Sequence, residues 1–122
     1  DCLPVDKDGH PLRKAILYGI DARCVEEMEY LSQYYGTEKV KKLFGRPICS
    51  GDVSAKILWI KNHEPEVYRR THKFLTGSSY LTFKLTGKYV IDTFLGMASF
   101  RPLYYPDGSI HKEMWNGNKA GS

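Results

Sequence analysis

Between residues 48 and 87 the chain reads ICSGDVSAKILWIKNHEPEVYRRTHKFLTGSSYLTFKLTG, and no other stretch limits the fold as much. A loop with Ser50, Gly51 and Asp52 opens an apolar helix over 53–60. At 3.6 residues per turn, Val53, Ile57 and Ile60 share one side while Ala55, Leu58 and Trp59 cover another. So wide an apolar surface needs a layer on each side, which favours Trp59 as core over Trp59 as a ligand platform. Glu64-Pro65-Glu66 starts a second helix, because proline tolerates the first helical position and carboxylates suit the positive end of the helix dipole. That helix buries Val67 and Tyr68 and exposes Arg69 and Arg70. Residues 73–76 are short and extended, and Ser78 caps a last helix that Gly87 stops.

The same rules assign the flanks. Residues 2–5 and 12–18 read as two strands joined by Asp6-Lys7-Asp8-Gly9, turn chemistry in which Gly9 takes positive φ. The Asp-x-Asp-Gly run matches the start of a calcium loop. However, Pro11 and Leu12 stand where that loop would continue, so it is taken as a turn. Asp21 is placed to cap a helix that buries Ala22, Val25, Met28 and Leu31, turns Glu26, Glu27 and Glu29 outward, and ends at Gly36. Thr37 caps a shorter helix with Val40, Leu43 and Phe44 inward and Lys39, Lys41 and Lys42 outward. Gly45 and Pro47 end it. Residues 88–92 alternate like a strand, while 93–101 stay ambiguous because Gly96 interrupts an apolar run. Residues 104–108 form a turn, 110–115 a closing helical turn, and 116–122 a frayed or appended tail. About five helices and four short strands define a mixed α/β, helix-rich class.

Length and charge narrow the partners. The 122 residues suit one domain. Eighteen basic against 14 acidic residues leave a net charge of +4, which suits a solvated surface rather than the basic stripe of a nucleic-acid binder. Cys2, Cys24 and Cys49 are odd in number and lack a C-x-x-C pair, which argues against a disulfide framework. His10, His63, His72 and His111 have no zinc-ligand spacing to them. No apolar run is long enough for a membrane span or a signal peptide, so a cytoplasmic location is expected. The chain opens at Asp1 without a methionine and is strand-like at once, which is expected of a section of something longer.

No self-sufficient active site is present. Neither a G-x-x-x-x-G-K-[ST] loop nor a G-x-G-x-x-G turn occurs, and His63-Glu64 runs into Pro65 rather than a zinc helix. No serine or cysteine has an assignable base, and Ser50 and Ser78 serve as caps. Asp21, Asp52 and Asp92 sit at element boundaries, where a carboxylate caps a helix or faces a cleft.

Five segments, in order, carry a resemblance. The run Asp8-Gly9-His10-Pro11-Leu12-Arg13-Lys14-Ala15-Ile16-Leu17-Tyr18 is followed by Asp21-Ala22-Arg23. Next come Ala55-Lys56-Ile57-Leu58-Trp59-Ile60 with Asn62, Glu64, Pro65 and Glu66, then Ser79-Tyr80-Leu81-Thr82-Phe83-Lys84-Leu85-Thr86-Gly87. Asp92 with Ala98-Ser99 closes the series. Each is weak alone, but together they resemble the FGGY carbohydrate kinases, nearest their xylulokinase-like members. The resemblance implies an actin-like, ribonuclease-H-like ATPase fold in which 1–115 form part of the N-terminal domain. It also implies transfer of the ATP γ-phosphoryl group to a sugar hydroxyl, with magnesium. The sugar is expected to be a ketopentose such as xylulose.

On that resemblance Tyr18, Asp21, Arg23 and Asp52 are the substrate-site candidates, with packing or capping as the alternative for each. No catalytic residue and no metal ligand is assigned, because the catalytic aspartate and the adenine site of such kinases would lie outside this chain. The fragment alone is therefore expected to be inactive. Its expected partners are the sugar, ATP and the remainder of the kinase chain, with no nucleic acid and no membrane. An apolar patch left where the remainder packs would favour a homodimer. Tyr18 in place of the usual tryptophan, a longer turn at Gly19-Ile20, Ser79 for aspartate and the apolar Phe94-Leu95-Gly96-Met97 bear on which sugar is used. A non-catalytic interaction module is the alternative. A small nucleic-acid-binding domain using Lys39, Lys41, Lys42, Arg69 and Arg70 is a further one.

Overall fold

The computed structural model describes residues 1–105 and 107–110. In order, the elements are β1 (Leu3–Val5), α1 (Val25–Tyr35), α2 (Thr37–Phe44), α3 (Val53–His63), α4 (Pro65–Arg70), β2 (Lys73–Leu75), α5 (Gly77–Thr86) and α6 (Thr93–Ser99). The closing turn expected at 110–115 and the tail at 116–122 lie outside the described residues, apart from Ile110.

The central prediction holds. In α3 every residue from Val53 to Leu58 is buried, as is Ile60, and the helix packs on α1 and α4. Trp59 is only half-buried. Its ring stacks on His63 at 4.6 Å and 11° and lies under the Arg23 guanidinium at 4.8 Å, so it closes the edge of the core rather than filling it. Arg13 pairs with Glu64 at 2.7 Å and its guanidinium lies 5.9 Å from the same ring. Leu31 of α1, Val40 and Phe44 of α2, and Phe100 and Leu103 beyond α6 complete the apolar cluster.

Several boundaries and faces differ from expectation. Asp21 does not cap α1: Cys24 takes the cap position, and the Asp21 carboxylate is held by Arg23. The buried side of α1 is Glu27, Leu31 and Tyr35, while Ala22 and Val25 are exposed. Glu27, expected outward, is 3% exposed because Asn62 Nδ2 and His63 Nδ1 of α3 reach its Oε1 at 3.3 and 3.5 Å. Gly36, not Thr37, holds the cap position of α2, and Thr76, not Ser78, caps α5 by accepting from Ser79 N at 3.2 Å. Asp92 does cap α6, through Leu95 N at 2.8 Å.

Two expected strands are absent. β1 pairs antiparallel with β2, with Leu3 opposite Leu75 and Val5 opposite Lys73. On its other side the returning chain bridges only at Val5–Pro11 and Cys2–Ile16. The stretch from Cys2 to Val5 is shorter than that from Pro11 to Ile16, so the return bulges and 12–18 form no ladder. Residues 88–92 keep their alternation, with Tyr89 and Ile91 half-buried and Val90 exposed, but among the described residues no strand pairs with them. Among the described residues there are thus six helices and two strands, and no helix is long and apolar enough to cross a membrane. Ile20, Leu81, Leu85 and Phe94 are exposed apolar side chains.

Candidate substrate cleft

The loop of 49–52, just ahead of α3, backs one side of the candidate site, because Tyr18 packs against it. Asp52 N donates to Cys49 O at 3.0 Å, which folds the loop tightly before the helix begins. Tyr18 crosses it so closely that a Cβ on Gly51 would stand 3.2 Å from Tyr18 Cε2. Tyr18 N donates to Asp1 Oδ1 at 3.2 Å. From there an open cleft of about 640 Å³ extends between Asp1 and Tyr18, the start of α5 at Thr76, Gly77 and Ser78, and the α6 residues Phe94, Leu95, Ala98 and Ser99. Its wall is two aromatic rings and apolar groups interspersed with a carboxylate and hydroxyls, a composition suited to a small polyhydroxylated ligand.

The structure separates the four residues singled out from sequence. Tyr18 lines the cleft and is 65% exposed. Asp52 is 1% exposed, and its oxygens are taken by Arg46 Nη2 at 2.6 Å, Arg46 Nη1 at 2.9 Å and Cys49 N at 2.9 Å. Asp21 and Arg23 pair with each other, Arg23 Nη2 lying 2.7 Å from Asp21 Oδ2, and neither lines the cleft. The hydrogen bond from the Arg23 side chain holds the Asp21 carboxyl below its ordinary range and raises Arg23 in turn. Asp6, Asp8 and His10 bring one ligand atom each to within 4.8 Å of one another. Asp6 Oδ1 accepts from Asp8 N and His10 N, both at 2.9 Å, which is the turn read from sequence.

Sequence reasoning passed over Lys56. It is fully buried at the start of α3, and its Nζ lies 6.0 Å from the Tyr18 ring. A single charge inside the apolar run V-S-A-K-I-L-W-I was the available signal.

The model of the FGGY family of carbohydrate kinases, N-terminal domain, matches residues 1–105. The chain belongs to this family. As an FGGY chain it is 35% identical over 83 residues to the xylulose kinase of Staphylococcus xylosus, covering 68% of this chain and 17% of that protein. It is 33% identical over 88 residues to the xylulose kinase of Escherichia coli K12, covering 72% and 18%. The xylulose kinase of Rhodospirillum rubrum superposes with a TM-score of 0.85 over 96% of this chain and 24% of its own, at 24% identity. The gluconate kinase of Lactobacillus acidophilus superposes with a TM-score of 0.82 over 97% and 24%, at 20% identity. These likenesses place the mixed, helix-rich FGGY chain within the actin-like, ribonuclease-H-like ATPase fold. The chain spans less than a quarter of the length of the relatives it matches.

Sugar kinases of the FGGY family use ATP and magnesium. The residues lining the cleft do not fit either group. Asp1 is the single carboxylate lining the cleft, and no glycine-rich phosphate loop adjoins it.

Proposed function

We propose that this chain forms one wall of the sugar site in an ATP-dependent kinase that phosphorylates a hydroxyl of a ketopentose such as xylulose. Family membership and the names of the relatives support the reaction class. The Tyr18 cleft is the observation that carries the chain's part in it. A ring with an apolar face and a phenolic edge suits a sugar, whose C–H faces pack on aromatics while its hydroxyls need partners. Asp1, Ser78 and Ser99 are polar groups on the same wall.

ATP and magnesium would be held by parts of the kinase outside these residues, where they supply the transferable phosphoryl group and neutralise its charge. The 122 residues alone then bind weakly and turn nothing over. The remainder of the kinase would pack on the exposed apolar side chains Leu81, Leu85 and Phe94, and a cytoplasmic setting suits the three free thiols.

The test is ATP-dependent phosphorylation by the full-length protein across ketopentoses, gluconate and related polyols. Turnover strongest on a ketopentose supports the proposal, and no turnover on any sugar or polyol overturns it.

A further inference from the structure

Lys56 stands one turn inside α3 and is 0% exposed. An ammonium there is costly twice over. It is removed from water, and it lies near the positive end of the helix dipole. Its Nζ reaches back toward the start of the helix, the direction in which helical side chains lean, and donates to Ser50 O at 3.2 Å and Gly51 O at 3.1 Å. Those carbonyls belong to the loop on which Tyr18 rests. A Cβ on Gly51 would stand 3.2 Å from Tyr18 Cε2 and 3.6 Å from Cys49 Sγ, so the ring needs a bare, well-placed backbone at this point. The same ammonium lies 6.0 Å from the Tyr18 ring centroid, and its charge helps lower Asp21. The ammonium is thus bonded to the loop and stands one layer behind the ring.

We infer that Lys56 is a positioning residue for the sugar end of the cleft. Its ammonium clamps the Ser50 and Gly51 carbonyls, so that Gly51 presents flat backbone to Tyr18 and fixes the angle at which the ring meets the sugar. Lys56 itself does not line the cleft and touches no substrate. Without the clamp the Gly51 carbonyl loses its donor and turns toward water, and the ring follows. This role rests on the sugar-kinase reading above.

The experiment uses the full-length kinase with two variants. Lys56→Met keeps the length and bulk of the side chain and removes its charge and donors. Gly51→Ala keeps Lys56 and its bonds but sets a methyl against the ring. Both are expected to raise the sugar KM about 10-fold while the ATP KM stays within about 2-fold, a split that general loss of structure would not produce. With 3-fluorotyrosine in place of Tyr18, Lys56→Met is expected to shift the fluorine resonance.

A folded Lys56→Met enzyme with unchanged sugar KM overturns the inference, as do equal rises in both KM values. If Lys56→Met does not fold, Gly51→Ala decides, and an unchanged sugar KM overturns it. If the wild-type kinase phosphorylates no sugar or polyol, the functional proposal fails separately. The fluorine signal then still decides whether Lys56 holds the ring: a shift supports the clamp, and an unmoved resonance overturns it.

Discussion

The Asp52 carboxylate and the Arg46 guanidinium face each other through two hydrogen bonds, at 2.6 and 2.9 Å. Arg46 also donates to Ala98 O at 3.1 Å, so the pair fastens the loop that backs Tyr18 to α6, which lines the cleft. Replacing Asp52 by alanine leaves a guanidinium without its counter-charge and Cys49 N without its acceptor. Removing one partner of a buried pair costs about 3–5 kcal/mol. Arg46 keeps 36% of its side-chain surface in water, which discounts that to about 2–3 kcal/mol. Urea denaturation of Asp52→Ala should show this loss as a lower midpoint at unchanged slope.

Gly9 and Gly45 both have positive φ, +81° and +79°, but their surroundings differ. A Cβ on Gly9 would fall 2.2 Å from Phe83 Cε1, whereas nothing lies within 4 Å of one on Gly45. Gly45→Ala should therefore cost only the left-handed backbone term, about 1–2 kcal/mol. Gly9→Ala adds a steric term of about 1–3 kcal/mol, because the turn after β1 must part from α5. Thermal melts of the two variants should rank accordingly.

The three thiols should fall into two reactivity classes. Burial pushes Cys2 up to about 12 and raises Cys24, while Cys49 is exposed. At pH 8 a disulfide reagent should modify Cys49 in the native chain and all three only after unfolding. The sign for stability follows from a folded pKa above the unfolded 9.0. The Cys2 contribution is complete below that pH and is lost as pH rises from there toward about 12. Chemical denaturation at stepped alkaline pH checks it.

The Asp21–Arg23 pair predicts the opposite limb. Its folded carboxyl pKa is depressed by the Arg23 hydrogen bond, so the contribution is complete above the ordinary 3.8 and lost as pH falls below it. With 19% and 38% of these side chains exposed, the effect stays under about 1 kcal/mol. Asp21→Asn should flatten that part of the acid-unfolding curve, read by circular dichroism.

Tyr18→Ala in the full-length kinase should raise the sugar KM about 10-fold with a smaller change in the ATP KM, since only the wall facing the sugar is cut away. Tyr18→Phe keeps the ring and should separate stacking from the phenol's hydrogen bond. Steady-state kinetics against both substrates read the difference.

Helices were more legible than strands. Gly36, Gly45 and Gly87 end α1, α2 and α5, and Pro65 opens α4, because each acts on the backbone at its own position. Caps were harder. Thr76 and Ser78 lie two residues apart with nearly equal propensity, and Asp21 is drawn off by Arg23, so tertiary contacts choose among candidates that local chemistry leaves level. Alternation at 88–92 is matched by alternating burial but not by a ladder, since a strand exists only beside another edge.

The ordered motifs from Asp8 to Ser99 sufficed to place the chain in its family, and with it the fold and the interest of Tyr18. They could not show which charges would be buried. Asp52 finds Arg46 across a loop, Glu27 finds Asn62 and His63 from another helix, and Lys56 turns back onto Ser50 and Gly51. By itself the sequence determined where most helices stop and what family they belong to, because turns, stops and apolar spacing are properties of neighbouring residues. It did not settle α6, in the stretch Gly96 left ambiguous. Only the tertiary structure decided that Tyr18 faces the cleft while Asp52 is locked beneath it. A buried charge is tolerable only where a partner reaches it, and such partners are brought together by packing.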